Sequence, residues 1–169
     1  ISNWRISSLN MTTEQVVIYT DGSSRGNPGP GGYGVILKYG AHERELSQGY
    51  HFTTNNRMEL MAVIEGIKAV KKNGLAITLY SDSQYVVKAI KEGWLKKWMA
   101  TNFKGGKKNP DLWKELHDLL QLHQVNFKWI KGHADNPYNN RCDELATQAA
   151  MNGTKISDHY YEQEVKEKP

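Results

Sequence analysis

Two aspartates stand directly after short runs of β-branched and aromatic residues. Asp21 follows the run VVIYT at 16–20, and Asp82 follows AITLYS at 76–81. Such runs are typical of buried strands, so each carboxylate is expected at the carboxyl end of a strand. If the two strands are parallel neighbours, about 4.8 Å apart, the two side chains share one edge of the sheet. Asp21 with Gly22 could alternatively form only a turn, and Asp82 could cap the following helix.

Two further acids are expected on helices. Glu59 lies shortly after Asn56, where the apolar spacing becomes helical, and the two could instead form a capping box. Asp143 lies in the last predicted helix, about 139–151, where it could also belong to a solvated face. Each acid alone therefore has an ordinary structural explanation, and only their convergence on one edge would indicate chemistry.

A convergence of these carboxylates would be electrostatically unfavourable by itself. Two carboxylates about 4 Å apart repel by roughly 4 kcal/mol at an effective dielectric of 20. Protons or cations must then compensate, and a set of carboxylate oxygens favours hard ions such as Mg²⁺ or Mn²⁺. The sequence therefore predicts a divalent-metal site if Asp21, Glu59 and Asp82 meet in the fold.

Composition and charge narrow the class of protein. The 169 residues include 22 Lys and Arg against 18 Asp and Glu, and the resulting net charge of +4 mildly favours a polyanionic partner. The single cysteine, Cys142, cannot form an internal disulfide, which fits a reducing, cytoplasmic location. No apolar run approaches the roughly 18 residues needed to cross a bilayer. We expect a monomer with no membrane partner.

The pattern of apolar residues predicts an α/β fold. Three strand-like runs come first, then a helix from Asn56 that stops at Gly74, and then strands alternate with helices. A three-stranded meander followed by αβ crossovers implies a mixed sheet with helices on its faces. We divide the chain into an N-terminal extension (1–14), one domain (15–153) and a C-terminal tail (154–169) that alternates in charge and is expected to be frayed.

Four stretches of sequence carry a resemblance to a known family. They are YTDGSSRGNPGPGGYG around Asp21, TTNNRMEL around Glu59, YSDSQYV around Asp82 and KGHADNPYNNRCDELA around Asp143. In this order they resemble the type 1 ribonuclease H family, and most of all its bacterial members, over about 16–151. The resemblance implies a five-stranded mixed sheet, with three antiparallel strands followed by two parallel ones, flanked by helices.

The resemblance also implies an activity and roles for the acids. The activity is endonucleolytic hydrolysis of the RNA strand of an RNA/DNA hybrid, which leaves 3'-hydroxyl and 5'-phosphate ends. The acids would hold two Mg²⁺ ions, or Mn²⁺ as a substitute, about 4 Å apart. Asp21 would bridge both ions, with Glu59 and Asp82 on one side and Asp143 on the other. His133, in the loop before the last helix, would be an auxiliary catalytic residue that moves a proton or aids product release.

Uncharged side chains near the acids are the substrate contacts that the resemblance implies. Amides can both donate to and accept from base edges and 2'-hydroxyls across the wide, shallow minor groove of an A-like duplex. These residues are Asn27, Asn55, Asn56 and Gln84, and Thr54 would hold a phosphate of the DNA strand. The alternative is that they are only turn and helix-cap residues.

Residues 88–108 form a basic, aromatic segment that resembles the basic protrusion of the bacterial enzymes. The segment holds seven lysines against one glutamate, interleaved with Trp94, Trp98 and a phenylalanine. Lysines bind phosphates and aromatic rings can cover a sugar or base, so Trp94, Lys96 and Lys97 are expected to contact substrate. The tryptophans could instead pack the segment onto the body while the lysines are solvated. We expect both, with tryptophan at the base and lysine on the surface.

Two other functions share parts of this pattern. A related polynucleotidyl transferase, such as an integrase or resolvase, would carry a similar acid cluster, but the basic segment and the TTNNRMEL and DSQYV contexts favour the nuclease. A catalytically inactive hybrid-binding module is disfavoured because all four acids are present.

Two other chemistries are disfavoured by the residues themselves. Cys142 could act as a nucleophile with His133, but a small thiol on the inner face of a helix is more common. The glycine-rich turn after Asp21 lacks the Lys-Ser/Thr ending of a phosphate-binding loop and does not open a helix.

Overall fold

The computed structural model describes residues 15–132 and 135–168, which form a mixed sheet with helices on both faces. The strands are β1 (Val16–Ser24), β2 (Gly29–Tyr39), β3 (His42–Thr53), β4 (Ala76–Ser81), β5 (Gln124–Trp129) and β6 (Lys155–Ile156). The helices are α1 (Asn55–Lys68), α2 (Gln84–Lys91), α3 (Trp94–Ala100), α4 (Pro110–Leu120), α5 (Pro137–Met151) and α6 (His159–Glu167). The order of the predicted elements is therefore confirmed, and two elements follow the last predicted helix.

The sheet has the strand order β5-β4-β1-β2-β3-β6. β1, β2 and β3 form the predicted antiparallel meander, while β4 runs parallel to β1 and β5 runs parallel to β4. The described residues give six strands where the resemblance implied five, because the short β6 pairs in parallel with β3. The mixed α/β fold is confirmed with this one addition.

One face of the sheet packs against α1 to form the main core. Alternate residues of the central strands point to this face, among them Ile18 and Leu79, which are fully buried. The apolar stripe of α1, with Leu60, Val63 and Ile67, packs against them. This packing fixes α1 relative to the ends of the central strands.

The opposite face of the sheet receives α5 at very short range. A Cβ at Gly34 would lie 2.3 Å from the backbone oxygen of Cys142, so only glycine permits this approach. The contact side of α5 consists of small buried residues, including Cys142, Ala146 and Ala150. The position of the next residue along the helix, Asp143, is therefore set by backbone contact with β2.

Residues 154–168 are not the frayed tail that the sequence predicts, because they form β6 and α6. Asp158, the N-cap of α6, is 3% exposed. Its carboxylate accepts hydrogen bonds from Arg57 Nε at 2.7 Å and from Thr53 Oγ1 at 2.7 Å. The prediction was wrong because these partners lie about a hundred positions earlier in the chain, where no local charge pattern reveals them.

Two boundaries of α1 also differ from the prediction. Thr54 is the N-cap, and the helix ends at Lys68, well before the predicted stop at Gly74. Gly74 lies instead in the turn that leads into β4, with φ of +80°, a conformation that favours glycine. No helix of the described part of the chain is long and apolar enough to span a membrane.

Candidate active site

The parallel pairing of β1 and β4 places two of the predicted acids side by side. The pairing runs as far as Thr20 and Ser81, and Asp21 and Asp82 are the next residues on each path. The sequence suggested that Asp21 is the last residue of its strand. β1 instead continues to Ser24 along β2, so Asp21 lies inside the strand. The two carboxylates nevertheless share the edge where the parallel pairing stops.

Glu59 reaches this edge because β1 and α1 approach each other at a glycine. A Cβ at Gly22 would lie 2.3 Å from the carbonyl carbon of Met58 and 2.5 Å from the backbone nitrogen of Glu59. Any larger residue at position 22 would push the helix away from the strand. Gly22 therefore allows the backbone at Glu59 to come close to β1.

The three carboxylates form one compact cluster. One oxygen from each of Asp21, Glu59 and Asp82 lies within 4.8 Å of the others. Within residues 15–132 and 135–168, Glu59 Oε1 and Asp82 Oδ1 are buried and have no hydrogen-bond partner. Buried polar atoms are almost always paired, so two unpaired acceptors beside a third carboxylate indicate a place for a cation.

The electrostatics of the cluster favour added positive charge. Burial, followed by the charges of Asp82 and Asp143, raises the pKa of Asp21 to about 9. Burial and the charges of Asp21 and Asp82 raise the pKa of Glu59 well above its usual range, and a backbone hydrogen bond from Gly22 opposes this only in part. A bound divalent ion would provide the compensation that protons otherwise provide.

Asp143 on α5 is not one of the three carboxylates that lie within 4.8 Å of one another. Its charge nevertheless contributes to raising the pKa of Asp21, whereas the charges that raise the pKa of Glu59 are those of Asp21 and Asp82. The charges of Asp82 and Asp143 both raise the pKa of Asp21, and the bridging role that the resemblance implies for Asp21 stays a prediction. The donor set consists of carboxylate oxygens, which fits hard divalent ions such as Mg²⁺.

The structure removes the ordinary explanations for two of the acids. The N-cap of α2 is Ser83, whose Oγ accepts from the Val86 backbone N–H at 3.2 Å, so Asp82 does not cap this helix. The N-cap of α1 is Thr54, whose hydroxyl accepts from the Arg57 backbone N–H at 3.2 Å. Glu59 consequently lies beyond the first turn of α1, and no capping box explains it.

Cys142 is a structural residue, as the sequence analysis favoured. Its side chain is fully buried, and its thiol donates to the backbone oxygen of Tyr19 at 3.3 Å. Burial raises the pKa of the Cys142 thiol, which disfavours the thiolate that a nucleophile needs.

The predicted amide contacts lie on the surface around the end of β1 and the starts of α1 and α2. Asn27 Oδ1 accepts from the Asn55 backbone N–H at 3.1 Å, and Asn55 Oδ1 accepts from the Ser24 backbone N–H at 2.7 Å. Asn56 and Gln84 are exposed. Asn27 and Asn55 are thus held together next to the acids, while Thr54 serves as a helix cap.

The basic protrusion combines packing and exposure, as expected, but its two tryptophans differ. Trp98 packs edge-on against Trp113 of α4, with ring centroids 5.4 Å apart. Trp94 is 39% exposed, and Lys96 and Lys97 are exposed beside it. Trp98 therefore packs the segment onto the body of the protein, and Trp94 is exposed to solvent.

Sequence reasoning missed one residue next to the acids, Trp129. Its indole N–H donates to the backbone oxygen of Asp82 at 3.1 Å, and its side chain is 45% exposed. A large aromatic residue at the end of a strand, three positions before Gly132, was the available signal. His133, the predicted auxiliary residue, lies outside the described residues, but a Cβ at its neighbour Gly132 would lie 2.9 Å from Asp82 Oδ2.

Comparison with known proteins agrees with this geometry. The family model described as RNase H matches residues 13–151. A protein of Syntrophus aciditrophicus named Ribonuclease H is 53% identical over 141 residues, which are 81% of this chain and 81% of that protein. The crystal structure of LC9-RNase H1, a type 1 RNase H with the type 2 active-site motif, superposes with a TM-score of 0.75 at 29% identity, covering 89% of this chain and 80% of that one.

A second solved structure, LC11-RNase H1 in complex with an RNA/DNA hybrid, has the same fold. Its TM-score is 0.63 at 24% identity, with 80% of this chain and 96% of that chain covered. The family match spans residues 13–151, which include all four acids. The chain therefore belongs to the ribonuclease H family, and it is a nucleic-acid hydrolase.

Proposed function

We propose that this protein is an endonuclease that hydrolyses the RNA strand of RNA/DNA hybrids with two divalent metal ions, leaving 3'-hydroxyl and 5'-phosphate ends. The observation that carries the proposal is the compact cluster of Asp21, Glu59 and Asp82, in which, among the described residues, Glu59 Oε1 and Asp82 Oδ1 are buried without a hydrogen-bond partner. Membership of the ribonuclease H family supports the hybrid as substrate.

The four acids supply the metal ligands in this proposal. Asp21, Glu59 and Asp82 would hold one ion, and Asp21 together with Asp143 would hold the other. When bound, such a pair of ions activates the attacking water and stabilises the leaving oxygen of an in-line displacement. No side chain forms a covalent bond to the substrate, and the buried thiol of Cys142 takes no part. His133 keeps its proposed role in proton transfer or product release.

Substrate recognition is assigned to the neutral and basic surfaces beside the acids. Asn27, Asn55, Asn56 and Gln84 would contact base edges and 2'-hydroxyls, which distinguish RNA from DNA. Trp94, Lys96 and Lys97 would contact the duplex from the protrusion, and Thr54 would approach a phosphate of the DNA strand.

A strand-labelling assay tests the proposal. Each strand of an RNA/DNA duplex is labelled in turn and incubated with Mg²⁺, with Mn²⁺ or with a chelator, using the wild type, Asp21→Asn and the control Asp118→Asn. Asp118 is suitable because its side chain is 84% exposed on α4. We expect metal-dependent cutting of the RNA strand by the wild type and the control, and a loss of at least about 100-fold in Asp21→Asn. Cutting of the DNA strand would instead indicate a polynucleotidyl transferase, and binding without cutting would indicate a hybrid-binding module.

The role of the protrusion has a separate test. Changing Lys96→Ala together with Lys97→Ala should reduce the slope of log affinity against log salt by about 1.4 to 1.8, the value for two lost phosphate contacts. Titration of a labelled hybrid at several salt concentrations measures the slope. An unchanged slope would remove these two lysines from the binding surface.

A further inference from the structure

The lysines of the basic segment do not form one surface in the fold. α2 ends at Lys91, and Gly93 then turns the chain with φ of +75° before α3 begins at Trp94. After the turn, Lys97, Lys104 and Lys107 line a groove with Trp94 and Trp98. Lys88 and Lys91, before the turn, belong to a different groove that opens beside the acid cluster.

This second groove lies between α2 and the end of β5. It encloses about 230 Å³ and is lined by Gln84, Val87, Lys88, Lys91, Glu92 and Trp129. The four α2 residues up to Lys91 follow the spacing i, i+3, i+4 and i+7, so they form one stripe about 10 Å long at 1.5 Å per residue. The stripe begins at Gln84, two positions after Asp82, and leads away from it.

Trp129 connects the groove directly to the acid cluster. Its indole N–H is fixed by the backbone oxygen of Asp82, at 3.1 Å, while nearly half of its side chain stays exposed. A ring that is oriented in this way, beside two exposed lysines, has the composition of surfaces that bind a nucleic-acid strand by stacking and phosphate contact. Glu92 is the single acidic residue of the lining.

We propose that this groove binds the RNA strand of the hybrid next to the scissile phosphate, with a base or ribose against Trp129 and phosphates at Lys88 and Lys91. The inference rests on the proposed function, because a strand whose phosphate lies at Asp82 must continue past the neighbouring surface. The groove beside Trp94 and Trp98 would then contact the duplex at a second place, separate from the groove beside Trp129.

The first experiment measures binding of a labelled RNA/DNA hybrid in an Asp21→Asn background, which prevents cleavage. Lys88→Ala with Lys91→Ala should lower the slope of log affinity against log salt by about 1.4 to 1.8. Lys71→Ala with Lys72→Ala is the matched control, because these lysines lie beside Val16, at the opposite end of β1 from Asp21. Equal slopes for the groove variant and this control would overturn the proposal.

The strand is assigned with hybrids in which one strand carries uncharged methylphosphonate linkages. If the groove binds RNA, the slope difference between the parent and the Lys88/Lys91 variant disappears when the RNA strand is neutral and persists when the DNA strand is neutral. The reverse result would show that the groove binds the DNA strand and would overturn the assignment to RNA.

Two variants of Trp129 separate stacking from positioning of Asp82. Trp129→Ala should weaken hybrid binding by about 5-fold or more, whereas Trp129→Phe, which keeps a ring but lacks the N–H, should bind nearly as the parent does. Equal affinities of the parent and Trp129→Ala would overturn the stacking contact. Thermal unfolding of each variant identifies any loss that comes from misfolding.

The two levels of the proposal can fail separately. If the wild type cuts the RNA strand but the groove variants bind like the parent, only the groove inference is wrong. If Asp21→Asn cuts as fast as the wild type, the proposed function is wrong whatever the groove binds.

Discussion

α1 carries two charged residues, the buried Arg57 and the half-buried Glu59, only two positions apart, and their surroundings are opposite in character. Arg57 is 1% exposed, and its five N–H donors make five hydrogen bonds, to Asn109, Asp111 and Asp158. Glu59 lies among other acids and, within the described residues, has a buried oxygen with no partner. The charge of Arg57 is compensated by protein groups alone, whereas the charges around Glu59 are not.

The difference separates a charge that stabilises the fold from one that serves function. Arg57 joins α1 to α4 and to the C-terminal α6, with carboxylate contacts of 2.7 Å to both aspartates. A buried ion of this kind is costly to leave alone but is well compensated here. The acids around Glu59 repel each other, and this repulsion lowers the stability of the folded protein. Such a cost is expected at a site that a bound ligand completes. The comparison predicts opposite effects of mutation on the two sides of the same helix.

The largest effect is expected for Glu59→Gln. We expect at least about a 100-fold loss of metal-dependent cleavage, because a ligand charge disappears. In chelator the same change should raise the free energy of unfolding by about 1–3 kcal/mol, because repulsion between neighbouring carboxylates is relieved. Rate assays and urea unfolding measure the two quantities. A variant that is both active and less stable would contradict the functional interpretation of this cluster.

Arg57→Ala should have the opposite effects, with a large loss of stability and little loss of cleavage. Removing it leaves Asp111 and Asp158 partly unpaired, so the free energy of unfolding should fall by about 3–5 kcal/mol. Cleavage per folded molecule should change little, since Arg57 faces away from the acids. Arg141, which pairs with Glu45 on the solvent side of α5, is the matched control, and Arg141→Ala should cost far less stability. Similar unfolding curves for the two variants would refute the structural role of Arg57.

The pH dependence of stability provides a third, smaller contrast. The pKa of Asp21 is about 9 in the folded protein and about 4 when unfolded. Between these values the folded protein holds a proton that the unfolded chain has released, so the free energy of unfolding should fall as pH rises from about 4 to 9. Thermal unfolding in chelator should show this decline, and it should be weaker in Asp21→Asn. Saturating Mg²⁺ should also weaken it, because bound ions replace the protons. A decline that is identical in wild type and Asp21→Asn would assign the effect to other groups.

The smallest effect is expected for Cys142→Ala. The thiol touches the backbone of Tyr19 and lies beside the acid cluster without being part of it. Cleavage should stay within about 2-fold of the wild type, and stability should fall by about 1 kcal/mol from the lost packing. A loss of cleavage near that of Glu59→Gln, measured in the same assay, would return Cys142 to the list of candidate catalytic groups.

The sequence predicted most of the acids around Glu59 but little of the hydrogen-bond network around Arg57. Asp21 and Asp82 follow recognisable strands, and the motifs around Glu59 and Asp143 identify the family. The cap of α1, the true end of that helix and the exposed Trp129 were missed, because they depend on which groups become neighbours after folding. The frayed tail was predicted wrongly for the same reason.

By itself, the sequence determined the order of helices and strands and the family, and it named the acids that are the candidate metal ligands. These follow from local patterns, since strand and helix periodicities and motif residues lie within a few positions of one another. Only the tertiary structure decided that three carboxylates lie within 4.8 Å and that Asp158 completes Arg57 from 101 positions away. It also decided that five of the seven lysines of the basic segment divide between two grooves. Such relations depend on the close approach of segments distant in the chain, which backbone contacts at Gly22 and Gly34 allow and which no local pattern encodes.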